Sequence, residues 1–179
     1  MDPEQVVRDE RGVMRCRDCG FGYNLTPDEI VANSAAGLTA VRAALGDVPE
    51  RVRGVRPSPA VWSVNAYVVH LAEAAAIITE RVRAIASQER PFLPYYDQDR
   101  SIAEGRADEQ PAEESLRQLE EAVPIFLELT RSLTPDQWDR VGIHARAGEV
   151  SLREVAHDMP HELNHHALDI HRIGSAVES

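Results

Sequence analysis

The chain has 179 residues, enough for one domain with a proper core and too few for two of ordinary size. Its apolar fraction of 43%, with only 5% aromatic residues, predicts a core of Leu, Val, Ile and Ala, which suits helices. The formal net charge of -11, without any run of basic residues, argues against nucleic-acid binding because such a surface repels phosphate.

Two segments bear on targeting. Residues 1–12 are acidic and lack an apolar stretch, so we expect no signal peptide there. The most apolar stretch, residues 60–78, is interrupted by polar side chains that a bilayer-spanning helix would not carry without cost. These patterns predict a cytoplasmic, soluble protein with a small-molecule substrate and no membrane partner.

The N-terminal segment contains the only two cysteines, in Cys16-Arg-Asp-Cys19-Gly20-Phe21. This spacing resembles one knuckle of a zinc ribbon, and half a ribbon supplies two of the four ligands of a tetrahedral site. The missing ligands would come from a second subunit or from a histidine such as His144. A redox pair and an inert remnant remain open, whereas a disulfide scaffold is excluded. We treat residues 1–25 as a tail with a possible second metal site.

Helix signals follow in order along the chain. Thr26-Pro27-Asp28-Glu29 is a capping box, which predicts a first helix over residues 27–45. Ser63 is a good N-cap for a second helix that runs to about Ser87. Residues 90–110 show no clear period and predict a long, functional loop. Its aromatic residues and the Arg-rich loop 51–56 are candidates for cosubstrate binding. The aromatic candidates are Phe92, Tyr95 and Tyr96.

The second half of the chain predicts three more elements. A third long helix spans about Pro111 to Leu133, and a capping box at Thr134 opens a short helix containing Trp138. Residues 142–150 read as a polar connector. Ser151 then caps a last helix that reaches about Ile173, where Gly174 is expected to end it. The fold prediction is all-α: a four-helix bundle over residues 26–175 with one short extra helix, and a tail over 176–179.

Histidines cluster in the last helix. They are His157, His161, His165, His166 and His171. Spacing of four residues places two imidazoles on one helix face, within reach of one metal ion. Pro160 is expected to kink the helix and separate His157 from the rest, which favours His161 and His165 as ligands.

A third ligand is expected from a neighbouring helix, and His70 lies on the apolar stripe of the second one. The alternative for His70 is a core histidine satisfied by a single hydrogen bond. Three acidic residues of the last helix could orient ligating rings through their second nitrogens. They are Asp158, Glu162 and Asp169. We expect the remaining histidines to be exposed, namely His144, His166 and His171.

Two stretches resemble the DinB superfamily. Pro59 to Glu73, with Trp62-Ser63 and His70-Leu-Ala-Glu73, is similar to the Trp-Ser…His-Leu-Ala-Asp helix of that family, and residues 148–166 are similar to its last helix. The resemblance covers about residues 26–174. It implies a four-helix bundle, often dimeric, whose three-histidine metal site holds zinc or nickel. The matching positions are His70, His161 and His165.

The resemblance also bears on activity. Similar members include mycothiol-dependent maleylpyruvate isomerases and thiol S-transferases that use mycothiol or bacillithiol. Three protein ligands leave a position open on the metal for water or a thiol. We therefore expect a metal-dependent transferase that moves a low-molecular-weight thiol onto an electrophile. A metal-dependent hydrolase or thiol-dependent isomerase is a close variant, and a non-catalytic stress-response or interaction protein with a structural His site is the competing class.

Overall fold

The computed structural model describes residues 6–178. Four long helices form the body of the molecule: α1 (Pro27–Gly46), α2 (Val64–Ser87), α4 (Ala112–Ser132) and α5 (Leu152–Glu178). A short helix, α3 (Gln98–Glu104), lies between α2 and α4. Helix α1 packs on α4 and α5, and α2 packs on the same two helices, so α1 and α2 lie diagonally across a four-helix bundle. The predicted fold class is confirmed.

Helix boundaries follow local capping chemistry. The Thr26 side chain accepts the Glu29 N–H while the Glu29 carboxylate accepts the Thr26 N–H, which is the predicted capping box. Ser63 caps α2 through the Ala66 N–H. Ser151 and Glu154 form the same reciprocal pair at the start of α5. These bonds satisfy backbone donors that the first turn of a helix leaves free.

Residues 6–178 include five short strands, where the sequence predicted none. Strands β1 (Val6–Arg8) and β2 (Met14–Cys16) form an antiparallel hairpin. Strand β3 (Phe92–Leu93) pairs in parallel with β4 (Val141–His144), which pairs antiparallel with β5 (Gly148–Ser151). The prediction of a plain connector over residues 142–150 is therefore wrong. Strands of two to four residues are too short to give a readable alternation of apolar and polar positions.

Other boundaries differ from expectation as well. The stretch 90–110 contains β3, α3 and a 3₁₀ turn, and the short element around Trp138 is a 3₁₀ helix. In the Arg-rich loop, Arg53 donates to the Val48 and Leu45 carbonyls, and Arg56 pairs with Asp108. These two arginines therefore hold the loop in place through their own hydrogen bonds and ion pairs.

Helix α5 continues through both residues expected to interrupt it. Pro160 lies inside the helix, and the Asn164 side-chain amide donates to its carbonyl at 2.6 Å. The helix passes Gly174 and reaches Glu178, so it covers residues 176–178 of the expected tail. A Cβ at Gly174 would lie 2.3 Å from Val48 Cγ2, so this glycine allows close packing instead of ending the helix. Ser179, and Met1 to Gln5 of the segment expected to lack a signal peptide, fall outside the described residues.

The core lies between the four long helices. Its largest fully buried side chains include Phe126, Ile30, Leu71, Ile85, Leu119, Leu152, Met159, Leu163 and Ile170. In the described part of the chain, no helix is long and apolar enough to cross a bilayer.

The α1–α5 contact allows a stability prediction. A Cβ at Gly37 would lie 2.7 Å from Leu163 Cβ, which cannot move without its helix, whereas a Cβ at Gly46 would contact nothing within 4 Å. We expect the free energy of unfolding of Gly37→Ala to be about 1 to 3 kcal/mol lower than that of Gly46→Ala, because overpacking outweighs the gain in helix propensity. Urea unfolding of both variants measures this difference. Equal urea midpoints for the two variants would show that α1 and α5 accommodate the added methyl group without loss of stability.

Candidate metal centre

One buried cluster joins α2 to α5. His70, on α2, is 2% exposed, and its Nε2 lies 3.0 Å from Glu162 Oε2. His166, one turn after Glu162 on α5, places its Nε2 3.2 Å from the same oxygen. Ligand atoms of these three residues lie within 4.8 Å of one another. Two imidazoles and a carboxylate from two helices therefore converge on one point, which is a donor set used for zinc and other divalent ions.

The charges in this cluster are compatible with a cation. Burial raises the pKa of Glu162, but hydrogen bonds from His161, His166 and His70 outweigh it and hold that pKa well below its usual range. Burial lowers the pKa of His166, but Asp169 and Glu162 outweigh it and raise the value to about 9. The carboxylate is thus ionised in the interior, and a divalent ion would replace the His166 proton as its counter-charge.

Asp169 orients the His166 ring. Its Oδ2 lies 2.9 Å from His166 Nδ1, so the carboxylate accepts the Nδ1 proton and directs Nε2 toward Glu162. This arrangement is typical of metal-ligating histidines, whose second nitrogen donates to a carboxylate. The His70 ring is held differently, with the Tyr96 ring stacked 6.3 Å away and the Trp62 ring 5.3 Å away.

A pocket of about 210 Å³ opens on the His166 side of the cluster. Its lining includes Trp62, Tyr67, Gln98, Asp99, His165, His166 and Asp169. Burial raises the pKa of Tyr67 to about 12, so its hydroxyl stays protonated at neutral pH and is able to donate. Of the three clustered side chains, His166 is therefore the one that a small polar molecule in this pocket would contact.

A larger groove of about 510 Å³ lies along α2. It is lined by the predicted aromatic residues Phe92, Tyr95 and Tyr96, and Phe92 is 67% exposed. The Tyr96 hydroxyl donates to Glu73 Oε2 at 2.5 Å, which fixes the ring beside His70. The groove and the 210 Å³ pocket share no lining residue, so the groove approaches the cluster only through Tyr96.

A second cluster lies on the neighbouring face of α5. Its members are Cys16, Cys19, His161 and His165, whose ligand atoms also lie within 4.8 Å of one another. Cys16 Sγ is 3.4 Å from His165 Nδ1, while His165 Nε2 is 3.4 Å from Asp169 Oδ2. The knuckle between the two cysteines therefore meets the histidine pair of α5, and not His144.

The structure divides the predicted triad between these two clusters. His70 lies with Glu162 and His166, whereas His161 and His165 lie with the cysteines. Successive helix residues are rotated by about 100°, so a shift of one position along α5 moves a pair to a different face. Glu162 and His166 have the same four-residue spacing as His161 and His165, and that spacing was the signal available in the sequence. The expectation that His166 is exposed is wrong, because its side chain is 14% exposed.

His157 lies outside both clusters, and its ring makes two hydrogen bonds to backbone groups. Its Nδ1 is bonded to the Arg153 carbonyl at 2.6 Å, and its Nε2 accepts the Leu25 N–H at 3.0 Å. The side chain is buried, and burial lowers its pKa, so the ring is neutral and joins α5 to the segment before α1. The predicted separation of His157 from the ligand histidines therefore holds, but through these bonds and not through a break at Pro160.

Removing the His157 acceptor is expected to destabilise the protein. His157→Phe keeps a ring of similar size but leaves the part-buried Leu25 N–H without its acceptor, which costs about 1 to 3 kcal/mol. His171→Phe, at an exposed position of the same helix, is the matched control with almost no expected change. Chemical denaturation measures both variants. An unchanged unfolding free energy in His157→Phe would contradict the assigned bonds.

The same residue predicts a pH dependence. Since burial lowers the pKa of His157 in the folded state, the unfolded chain binds the proton more tightly, at about pH 6.5. Protonation thus favours unfolding, and the stability that the neutral ring contributes is present above about pH 6.5 and lost as the pH falls. We expect the difference in unfolding free energy between wild type and His157→Phe to shrink between about pH 7 and 5. A constant difference would contradict a neutral, buried ring.

Helical bundles commonly build metal sites from side chains on facing helices, and the groups between α2 and α5 have that arrangement. Residues 35–170 match the family model of the DinB superfamily. The chain belongs to the DinB superfamily, and the resemblance seen in its sequence is confirmed.

Two solved structures have a similar fold. YfiT from Bacillus subtilis, described as a probable metal-dependent hydrolase with an unusual four-helix bundle topology, superimposes with a TM-score of 0.74 at 18% identity, over 83% of this chain and 89% of its own. A mycothiol-dependent maleylpyruvate isomerase superimposes with a TM-score of 0.66 at 18% identity, over 82% of this chain and 61% of its own. These two likenesses are of fold.

One relative is similar in sequence. OB0413 of Oceanobacillus iheyensis, a protein named as a metal-dependent hydrolase, is 25% identical over 109 residues. The match covers 61% of this chain, and the chain spans about three fifths, 62%, of that relative.

Proposed function

We propose that this protein is a metal-dependent enzyme whose divalent ion is held by His70, Glu162 and His166. The observation that carries the proposal is the convergence of three ligand atoms from two helices, one of them on His166 at the wall of a pocket of about 210 Å³. Three protein ligands with an accessible side are typical of catalytic sites, whereas structural sites are closed by four. Zinc and nickel both accept imidazole nitrogen, so both belong to the proposal.

The protein's own groups have distinct tasks around that ion. When bound, the ion acts as a Lewis acid that lowers the pKa of a coordinated water or thiol. Asp169 keeps the His166 ring in the orientation that presents Nε2, and Tyr67 offers a hydroxyl proton at the pocket wall. Gln98 and Asp99 line the same pocket and are placed to contact polar groups of a substrate.

The leading reaction is transfer of a low-molecular-weight thiol, such as mycothiol, to an electrophilic small molecule. With an alkyl halide the thiol proton leaves to solvent, sulfur bonds to the electrophilic carbon, and the halide departs with its bonding electrons. With an activated alkene sulfur bonds to one carbon of the double bond, and the neighbouring carbon takes up a proton. Support comes from the fold shared with a mycothiol-dependent isomerase. Hydrolysis is the second candidate, since OB0413 is named as a metal-dependent hydrolase and YfiT is described as a probable one. The accessible side of the cluster disfavours a purely structural His site.

The test compares metal-loaded with chelator-stripped protein on two panels. One panel follows consumption of mycothiol and of simpler thiols with alkyl halides and activated alkenes, and the other follows hydrolysis of esters and amides. We expect metal-dependent thiol consumption. Metal-dependent hydrolysis without thiol consumption would replace the leading reaction by the second one. If the metal-loaded protein shows no activity on either panel while the site of His70, Glu162 and His166 holds metal, the enzyme assignment is overturned.

A further inference from the structure

A second group of potential metal ligands lies on the neighbouring face of α5 and includes two cysteines. We propose that four side chains bind one structural zinc ion that fastens the N-terminal hairpin to α5. These side chains are Cys16, Cys19, His161 and His165.

The spacing of the ligand atoms fits zinc. Ligands at about 2.0 to 2.3 Å from a tetrahedral ion lie about 3.3 to 3.8 Å from one another. Cys16 Sγ and His165 Nδ1 are 3.4 Å apart, and all four residues offer atoms within 4.8 Å of one another. A contraction of about 1 Å or less in the distances between ligand atoms therefore brings them to bonding distance.

The backbone around the cysteines is built as a metal-binding knuckle. The Cys16 N–H donates to the Phe21 carbonyl, and the Gly20 N–H donates to the Cys16 carbonyl, closing a tight loop. Gly20 has a φ of +74°, a conformation that favours glycine. The N–H groups of Asp18 and Cys19 are directed at the Cys16 sulfur, and that of Phe21 is directed at the Cys19 sulfur. The turn thus directs N–H groups at sulfur, as thiolates require.

On the α5 side of the cluster, histidine ring nitrogens are free to bind a metal ion. His161 is 9% exposed, and its Nε2 is a buried nitrogen with no hydrogen-bond partner among residues 6–178. Such an atom costs free energy unless it finds a partner. His165 presents Nδ1 to Cys16 while Asp169 lies against its Nε2, which matches the carboxylate–histidine–zinc arrangement. A zinc ion would satisfy both rings.

The hairpin also lacks the apolar core that would hold it in place. Between residues 6 and 25 only Val6 and Cys16 are fully buried apolar side chains in the described chain. Phe21 and Tyr23 contribute ring contacts with His161, at centroid distances of 5.5 and 5.3 Å. Small modules with so little burial are commonly held by a disulfide or a metal. Here both halves of a closed Cys₂His₂ set meet across that interface, which makes the ion structural.

The experiment uses the full chain loaded with Co²⁺, a spectroscopic substitute for zinc. Wild type is expected to show thiolate-to-cobalt charge-transfer bands and the intense visible bands of a tetrahedral site. Cys16→Ser/Cys19→Ser should lose the charge-transfer bands and one equivalent of metal. Glu162→Gln should keep these bands, because both sulfur ligands and both imidazoles of the second site remain in place. The result therefore does not depend on whether the proposed enzyme activity is found.

A measurement on wild type guards against misfolding of the double variant. We expect Zn²⁺ to slow alkylation of both cysteines by iodoacetamide at least about tenfold relative to chelator-treated protein, since only a free thiolate is nucleophilic. Equal alkylation rates, absence of charge-transfer bands in cobalt-loaded wild type, or a Cys16–Cys19 disulfide in zinc-loaded protein would overturn the proposal.

Discussion

Glu162→Gln is expected to abolish metal binding at the site between α2 and α5 under conditions that fill it in wild type. The carboxylate is the one anionic ligand, and its Oε2 is shared by His70 and His166 at 3.0 and 3.2 Å. Loss of groups that merely orient ligands weakens metal binding about 10- to 100-fold, so loss of the charged ligand should exceed 100-fold. Metal-dependent activity should fall in parallel with occupancy.

The measurement is metal titration against a chromophoric chelator, combined with elemental analysis. Glu128→Gln, an exposed change on α4, is the matched control and should bind metal as wild type does. Glu162→Gln should retain the one equivalent of metal assigned to the cysteine-containing site. Full stoichiometry and unchanged affinity in Glu162→Gln would show that this cluster is not the metal centre.

The helices of this fold are readable from sequence because local rules set their ends. Capping boxes and a serine N-cap gave the starts of α1, α2 and α5 at the observed residues. The end of α5 was not readable, since Gly174 is a close-packing residue against Val48. Whether a glycine ends a helix or admits a neighbour depends on tertiary contacts, which the chain order does not contain.

The candidate site shows a similar limit. Sequence spacing identified α5 as the metal-binding helix and α2 as its partner, but two overlapping pairs at four-residue spacing compete on α5. Which pair faces His70 depends on how α5 is rotated in the bundle, and that rotation is set by packing of residues such as Leu163 against Gly37. The cysteine knuckle could not be assigned a partner either, because Cys16 and His165 are 149 positions apart.

Asp169→Asn is expected to weaken both metal sites together. One carboxylate oxygen, Oδ2, lies 2.9 Å from His166 Nδ1 and 3.4 Å from His165 Nε2, so a single side chain orients one ligand of each site. An amide carries no charge, and one of its two polar ends repels an N–H, so each site should lose about 10- to 100-fold in affinity.

Cobalt titration separates the two losses, because only the cysteine-containing site gives thiolate-to-cobalt bands. Asp139→Asn, an exposed change in the 3₁₀ segment before β4, is the matched control and should leave both affinities unchanged. If only one site weakens, Asp169 serves that site alone and the two centres are independent. Parallel weakening would mean that the carboxylate between His165 and His166 links the structural ion to the catalytic one, so that fastening the hairpin also sets the orientation of a ligand in the active site.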